Sequence, residues 1–411
     1  MALSDHFFRH ESGRIVATLT KILGIENLDL AEDAVQDAIF DALALWSVRG
    51  VPANPSAWLI TTAKNKALDV LRRERRVRGI GSEVENALLG APPFELNMIQ
   101  DDQLRLMFSC CHERLGVEQH VALILNLLGG MTAKEIAGAF VASLAATEKR
   151  IARAKKVLAG SGELFNVTRQ AEFDERKPSV QRALYLLFNE GYHGASPEAT
   201  IRTDLCMEAI RLTDLLANHP SGATPDTLAL SALMRLHAAR LPGRTNSSGD
   251  LTPLLDQDRS KWDRGMIQSG LHRLAQASTG DQVSEYHLEA MIAATHAQAP
   301  SLEETDWATI VMLYETLTKL RPSPVLGLNL AIAIGRLHGP RTGLERLAAL
   351  PDKGRLEHYP FYWAAKATLE EELGQTDEAR ANFEKALATA RSPLERRYIE
   401  GRLHALSGGS R

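Results

Sequence analysis

Alanine and leucine recur at three- and four-residue spacing along nearly every segment of this chain. Alternating runs of Val, Ile and aromatic residues, the signature of a half-buried strand, are hard to find. Apolar positions at that spacing share one side of a helix, so the chain is expected to be all-α. Clusters of Gly, Pro and Ser mark loops or linkers: GVPANPS (50–56), GAPPF (90–94), GSG (160–162), PSGATP (220–225) and PGRTNSSG (242–249). At roughly 150 residues per domain, 411 residues leave room for two to four domains, each able to bury its own core. A hydrophobic content of 45% with 24% charged residues excludes wholesale disorder.

With 47 Lys and Arg against 51 Asp and Glu, no overall basic charge announces a nucleic-acid partner, so local distribution must decide. Residues 1–158 hold 19 basic and 19 acidic side chains, the remainder 28 and 32. Two runs in the neutral part, RRERRVR (72–78) and EKRIARAKK (148–156), each carry five positive charges and one negative. Cys110, Cys111 and Cys206 are too few and too close for a disulfide framework, so a reducing cytoplasmic setting is expected, with no metal and no cofactor. The N-terminus lacks an apolar h-region and no run is long and apolar enough for a bilayer, so no membrane partner is expected.

Pro55 and Ser56 signal the start of a helix from about Ala57 to Arg76, with Ser56 as candidate N-cap. Leu59, Ala63, Ala67 and Val70 form its buried stripe. Thr62, Asn65, Asp69, Arg72 and Arg73 fall at about 220° to 320° from Leu59, gathering amide, hydroxyl and guanidinium groups that can read bases and hold phosphates. The same pattern fits a solvated amphipathic helix end.

The second basic run lies in a pattern of helix 132–140, turn near Val141 to Ser143, and helix 144–158, a helix-turn-helix. Ser143 can cap the second helix, whose apolar face holds Leu144, Ile151, Ala154 and Leu158 and whose cationic face holds Lys149, Arg153 and Lys156. Such a helix can enter a major groove, its cations on phosphates. A surface helical hairpin would look alike.

LDLAEDAVQDAIFDALALW (28–46) followed by AWLITTAKNKALDVLRRERR (57–76) resembles region 2 of the extracytoplasmic-function (ECF) sigma factors of the sigma-70 family, and residues 103–158 resemble their region 4. FSCCHERL, LYLLFNEGYHG, DLCMEAIRL, LLDQDRSKWDR and DWATIVMLYETL look like the subgroup with a long C-terminal helical extension bearing tetratricopeptide-like repeats. The resemblance covers essentially the whole chain. It implies a region 2 helical bundle (1–76), a linker (77–101), a region 4 helix-turn-helix domain (102–160), a helical extension (161–300) and degenerate repeats (301–411), with region 3 and an N-terminal autoinhibitory region absent. The implied function is non-enzymatic: binding core RNA polymerase and starting transcription at promoter DNA.

Asp33, Gln36 and Asp37 match the positions that bind the clamp helices of the largest polymerase subunit. The loop WSVRGVPANPS (46–56) corresponds to the one that receives a flipped minus-ten base, and Asn54, Ser56, Trp58, Thr62, Asn65, Asp69, Arg72 and Arg73 to the minus-ten contacts. Lys134, Ser143, Thr147, Lys149, Arg150, Arg153 and Lys156 correspond to the minus-thirty-five reader. The recognition helix begins SLAATEKR, where the family carries an acidic residue or proline and often a glutamine, so base preferences do not transfer.

Toward the C-terminus, Trp363, Gly374, Ala379, Phe383 and Ala386 occupy the expected places of one tetratricopeptide repeat, and Ile310, Leu344 and Ala379 are spaced 34 and 35 residues apart. Such an array makes a groove for a peptide or protein regulator, or serves only as a brace. An autonomous helix-turn-helix regulator with a peptide-binding repeat domain is the alternative function. Asp256, Asp258 and Asp263 with His193 or His287 invite a metal reading, which mutual salt bridges with Arg259, Lys261 and Arg264 explain more simply. Gly191 or Gly194 is expected to end a helix, and Cys110, Cys111 and His112 to be buried.

Overall fold

The computed structural model describes residues 5–78, 84, 88–89, 96–139, 142–162, 164–166, 170–193, 201–246, 250–280, 282–351, 353–390 and 393–408. Among them the fold is all-α, with one isolated bridge between Thr245 and Leu251. APPF (91–94), the centre of the expected linker, and Gly194 lie outside the described residues. No described helix is long and apolar enough to cross a membrane. The chain divides into two compact units, residues 1–190 with 204–222 and residues 191–203 with 223–411.

The first unit begins with α1 (Asp5–Leu23), α2 (Leu28–Arg49) and α3 (Pro55–Arg78), mutually packed. Their inner stripes supply fully buried Ile15, Leu19, Leu28, Val35 and Leu59. Gly24, at φ +88°, takes the left-handed turn that ends α1 and starts a 3₁₀ turn, Ile25–Asn27. α4 (Leu96–Ser109) packs on α1, and α5 (Val117–Leu127), α6 (Ala133–Ala139) and α7 (Leu144–Ala159) pack together. α1 meets the turn after α5 at Gly13, where a Cβ would fall 2.5 Å from the Leu128 carbonyl oxygen.

α8 (Gln170–His193) and α9 (Thr203–Asn218) open the expected extension, yet residues 170–190 and 204–218 belong to the first compact unit. Aromatic stacking explains why the division does not fall at residue 160. Phe108 of α4 stacks on Phe165 at 5.2 Å and on Phe173 of α8 at 4.1 Å between ring centroids. Gly191 sits within α8 rather than ending it. Cys110 and Cys111 are buried, and burial pushes the Cys111 thiol up to about 12.

In the second unit α10 (Pro225–Ala238) packs on α11 (Arg264–Ala277) and α12 (Glu285–Gln298). α13 (Trp307–Leu320), α14 (Pro324–His338), α15 (Pro340–Ala348), α16 (Pro360–Glu372), α17 (Thr376–Thr389) and α18 (Pro393–Gly408) follow, each packed on the next. The second compact unit runs through residue 300. Ile310, Leu344 and Ala379 fall in α13, α15 and α17; Ile310 and Ala379 are fully buried, whereas Leu344 is half-buried beside inward-facing Gly343 and Leu347. Phe383 and Ala386 join Ala379 in the core between α16 and α18, with Trp363 packed at its edge.

The acidic-basic run near residue 260 does not form the expected mutual salt bridges. Asp258 and Asp263 instead cap helical turns, accepting from the Ser260 and Met266 backbone N–H groups at 2.9 Å each. The Arg259 guanidinium donates to the His296 and Ala299 carbonyls and to Thr305 Oγ1. His287 lies close to Ser284 and the Ala277 carbonyl, at 2.8 and 3.1 Å.

Candidate nucleic-acid interface

α3 starts earlier than its sequence signal indicates. Asn54, not Ser56, caps it: its Oδ1 accepts the Ala57 N–H at 3.0 Å. Ser56 lies in the first turn and reaches Glu11. Burial pushes the Glu11 carboxyl up, but His10, Arg14 and the Ser56 hydroxyl outweigh it and hold it below its ordinary value. Trp58 is half-buried, its ring edge-on to Trp46 at 5.2 Å. Its ring is therefore partly committed to the bundle.

Leu59, Ala63 and Ala67 face inward, but Val70 is 40% exposed. Leu68 and Leu71 take the buried stripe at that end of α3. On the other side Asn65, Asp69, Arg72 and Arg73 are exposed and Thr62 is half-exposed, so one helix presents amide, hydroxyl and guanidinium groups together. Asp69 and Arg72 approach within 3.8 Å, a contact of little energetic weight at this exposure.

On α2, Asp33, Gln36 and Asp37 are all exposed, backed by buried Ala31, Ala34, Val35 and Ala38. The same outer stripe carries Phe40, 68% exposed, and Leu43, 53% exposed. Sequence reasoning passed over both. Their signal was available: large apolar residues out of phase with an alanine-rich inner stripe need a partner outside the helix bundle.

Ser143 caps α7, its Oγ accepting the Ala146 N–H at 3.3 Å. Lys149, Arg153 and Lys156 are exposed along one face of that helix, and Lys134 is exposed on α6. Three expectations change. Thr147 is fully buried and donates its hydroxyl to the Ser143 carbonyl at 3.1 Å, so it faces the core rather than a base. Arg150 is held by Glu118 of α5 at 3.0 Å. Leu144 is 44% exposed, and the inner face of α7 begins at Thr147.

The charge runs did not separate Lys155 from its neighbours. It points away from the cationic face and bonds Glu32 of α2 at 2.7 Å, with only 20% and 12% of the two side chains exposed. Burial pushes the Glu32 carboxyl up, with Lys155 opposing, and the net displacement is upward. Two further pairs hold α1 to the following helices: Arg9 to Glu135 of α6 at 3.1 Å, and Lys21 to Asp102 of α4 at 2.8 Å. The first three helices and the α5–α7 cluster are thus clamped together, with Asp33, Gln36, Asp37 and the cationic face of α7 still outward.

Residues 7–77 match the model of the family Sigma-70 region 2, and residues 176–278 match that of a family of unknown function, DUF6596. The uncharacterized protein R00370 of Rhizobium meliloti (strain 1021) is 37% identical over 394 residues, an alignment spanning 93% of this chain and 91% of that protein.

Proposed function

Because this chain belongs to the sigma-70 family, carrying region 2 at residues 7–77 and sharing nearly its whole length with R00370, we propose that it is an ECF-type promoter-specificity subunit regulated through its own C-terminal helices. A sigma-70 region 2 binds core RNA polymerase and promoter DNA, and the chain acts in transcription initiation. In this reading Asp33, Gln36 and Asp37 meet arginines of the polymerase clamp helices, with Phe40 and Leu43 adding apolar contact. Thr62, Asn65, Asp69, Arg72 and Arg73, with the loop ending at Asn54, hold the melted minus-ten strand. α6 and α7 form a helix-turn-helix whose Lys149, Arg153 and Lys156 meet phosphates of the minus-thirty-five element.

One observation carries the reading: three polar faces, on α2, α3 and α7, point outward from one compact unit while their opposite faces build its core. Run-off transcription with sigma-free core polymerase on fragmented genomic DNA tests it. Specific starts sharing two spaced upstream elements are expected. Failure of folded protein to bind core polymerase under permissive conditions would refute it.

The exposed cationic face of α7 also fits an autonomous regulator, in which the tetratricopeptide-like stack binds a peptide. Tight duplex binding in the absence of polymerase distinguishes that function.

A further inference from the structure

The second unit contains a half-open cavity of about 370 Å³. Apolar side chains dominate its walls: Leu328 and Ile332 of α14, Phe361 and Ala365 of α16, and Leu251 of the preceding loop. Its volume lies near the lower end of small-molecule sites, about 300–1,000 Å³, and is too small for a folded partner.

Three arginines reach this apolar space, and they are not equivalent. Arg336 is neutralised by Glu372 at 2.8 Å. Arg240 gives its Nε–H to the neutral Gln257 Oε1 at 3.2 Å and lies 5.6 Å from the centre of the Trp262 ring. Arg244 is only 8% exposed, lies 3.9 Å over the Tyr192 ring, and has a buried Nε with no hydrogen-bond partner. Neither Arg240 nor Arg244 has a carboxylate partner among the described residues. Burial pulls the Arg240 guanidinium below its ordinary value and the charge of Arg244 adds to the effect.

Two cations side by side, Arg244 buried and Arg240 half-buried, without an anion among the described residues, carry a desolvation cost that aromatic faces offset only in part. The loop holds them in place nonetheless. The bridge between Thr245 and Leu251 and the Thr252 N–H bond to the Arg244 carbonyl, 2.8 Å, fix the backbone on which Arg244 sits. Asp250 of the same loop is tied to Arg397 of α18 at 2.7 Å. Unfilled donors facing an apolar chamber are complementary to a ligand with an anionic head and an apolar body.

We propose that this cavity binds an amphipathic small molecule bearing one carboxylate or phosphate group, the anion against Arg240 and Arg244 and the apolar body between α14 and α16. The site lies wholly in the second unit, and its binding is measured without polymerase or DNA, so it stands apart from the reading of the first unit.

Isothermal titration of the full chain with dodecanoate, dodecyl phosphate, dodecanol and dodecyltrimethylammonium, each below its micelle concentration, tests this. At least one anionic probe is expected to bind one-to-one and saturably, at least tenfold tighter than the alcohol or the cation. The stronger anion names the head group. Arg240→Gln and Arg244→Gln should each weaken the anion about tenfold and leave the alcohol unchanged. Ala365→Trp, which fills the chamber and keeps both arginines, should abolish binding of every probe while thermal unfolding stays cooperative. Equal affinity for anion and alcohol, saturable binding that survives Ala365→Trp, or no saturable binding of either anion overturns the proposal. If an arginine variant fails to fold, the probe comparison and Ala365→Trp still decide.

Discussion

In the proposed function α3 and α7 engage separate promoter elements, and the Glu32–Lys155 contact at 2.7 Å, which ties α2 to α7, opposes any separation of those helices. Lys155→Met removes the bridge while keeping most of the side-chain volume. Exposed ion pairs contribute about 0–1 kcal/mol, and stripping one partner from a buried pair costs about 3–5 kcal/mol. At 12% and 20% side-chain exposure this pair lies between those limits, and a cost of about 2 kcal/mol, roughly 30-fold in the packing equilibrium, follows. Dyes on cysteines introduced at exposed Ala44 and Ala152 report the approach of α2 to α7 by energy transfer, while buried Cys110, Cys111 and Cys206 resist labelling. Lys155→Met should move the loss of transfer to lower urea, and adding Glu32→Gln should restore most of it by removing the stranded charge. Because the folded-state pKa of Glu32 is raised above its ordinary 4.5, its contribution favours the packed form at acid pH and is lost as pH rises through the raised value. Lys155→Met should shift that loss to still higher pH. An unchanged midpoint, or a double variant no better than Lys155→Met alone, would mean that the bridge does not hold α2 against α7.

Replacing Arg153 by Ala should weaken promoter binding and lower the slope of log affinity against log salt by about 0.9, one phosphate contact; an unchanged slope removes Arg153 from the interface. Phe40→Ala should cost about 1–2 kcal/mol of affinity for core polymerase and leave the urea midpoint unmoved, since the ring is 68% exposed. Gly343→Ala places a Cβ 2.9 Å from Gly335 Cα and 3.3 Å from the Ala331 carbonyl, so the α14–α15 crossing must spread. A loss of about 1–3 kcal/mol is expected in a denaturant melt of the second unit, and a neutral result would mean the two helices are not in firm contact.

Much of this protein was legible without coordinates. The three- to four-residue spacing of Ala and Leu determines an all-α fold, because only a helix turns that spacing into one continuous apolar face. The outward groups of α3 and α7 followed from the same arithmetic, since a residue's position around a helix is local geometry, whereas Asp33, Gln36 and Asp37 of α2 came from the resemblance to the family. Errors fell where local geometry stops deciding. Val70 and Leu144 belong to apolar stripes on a helical wheel, yet among the described residues both remain 40% or more exposed. Thr147 looks as polar as Ser143, but packing turns it inward and its hydroxyl is satisfied by the backbone. Lys155 is indistinguishable from Lys156 in a run of cations; only the meeting of α7 with the start of α2 assigns one to Glu32 and leaves the other outward. The arginine pair beside the cavity was equally hidden, because Arg240 and Arg244 meet Leu328 and Phe361 across about a hundred residues of chain. Periodicity is written in neighbours along the chain and therefore survives in the sequence. Which faces meet, and which charges are left without a counter-ion, depends on contacts between distant segments and is settled only when the helices pack.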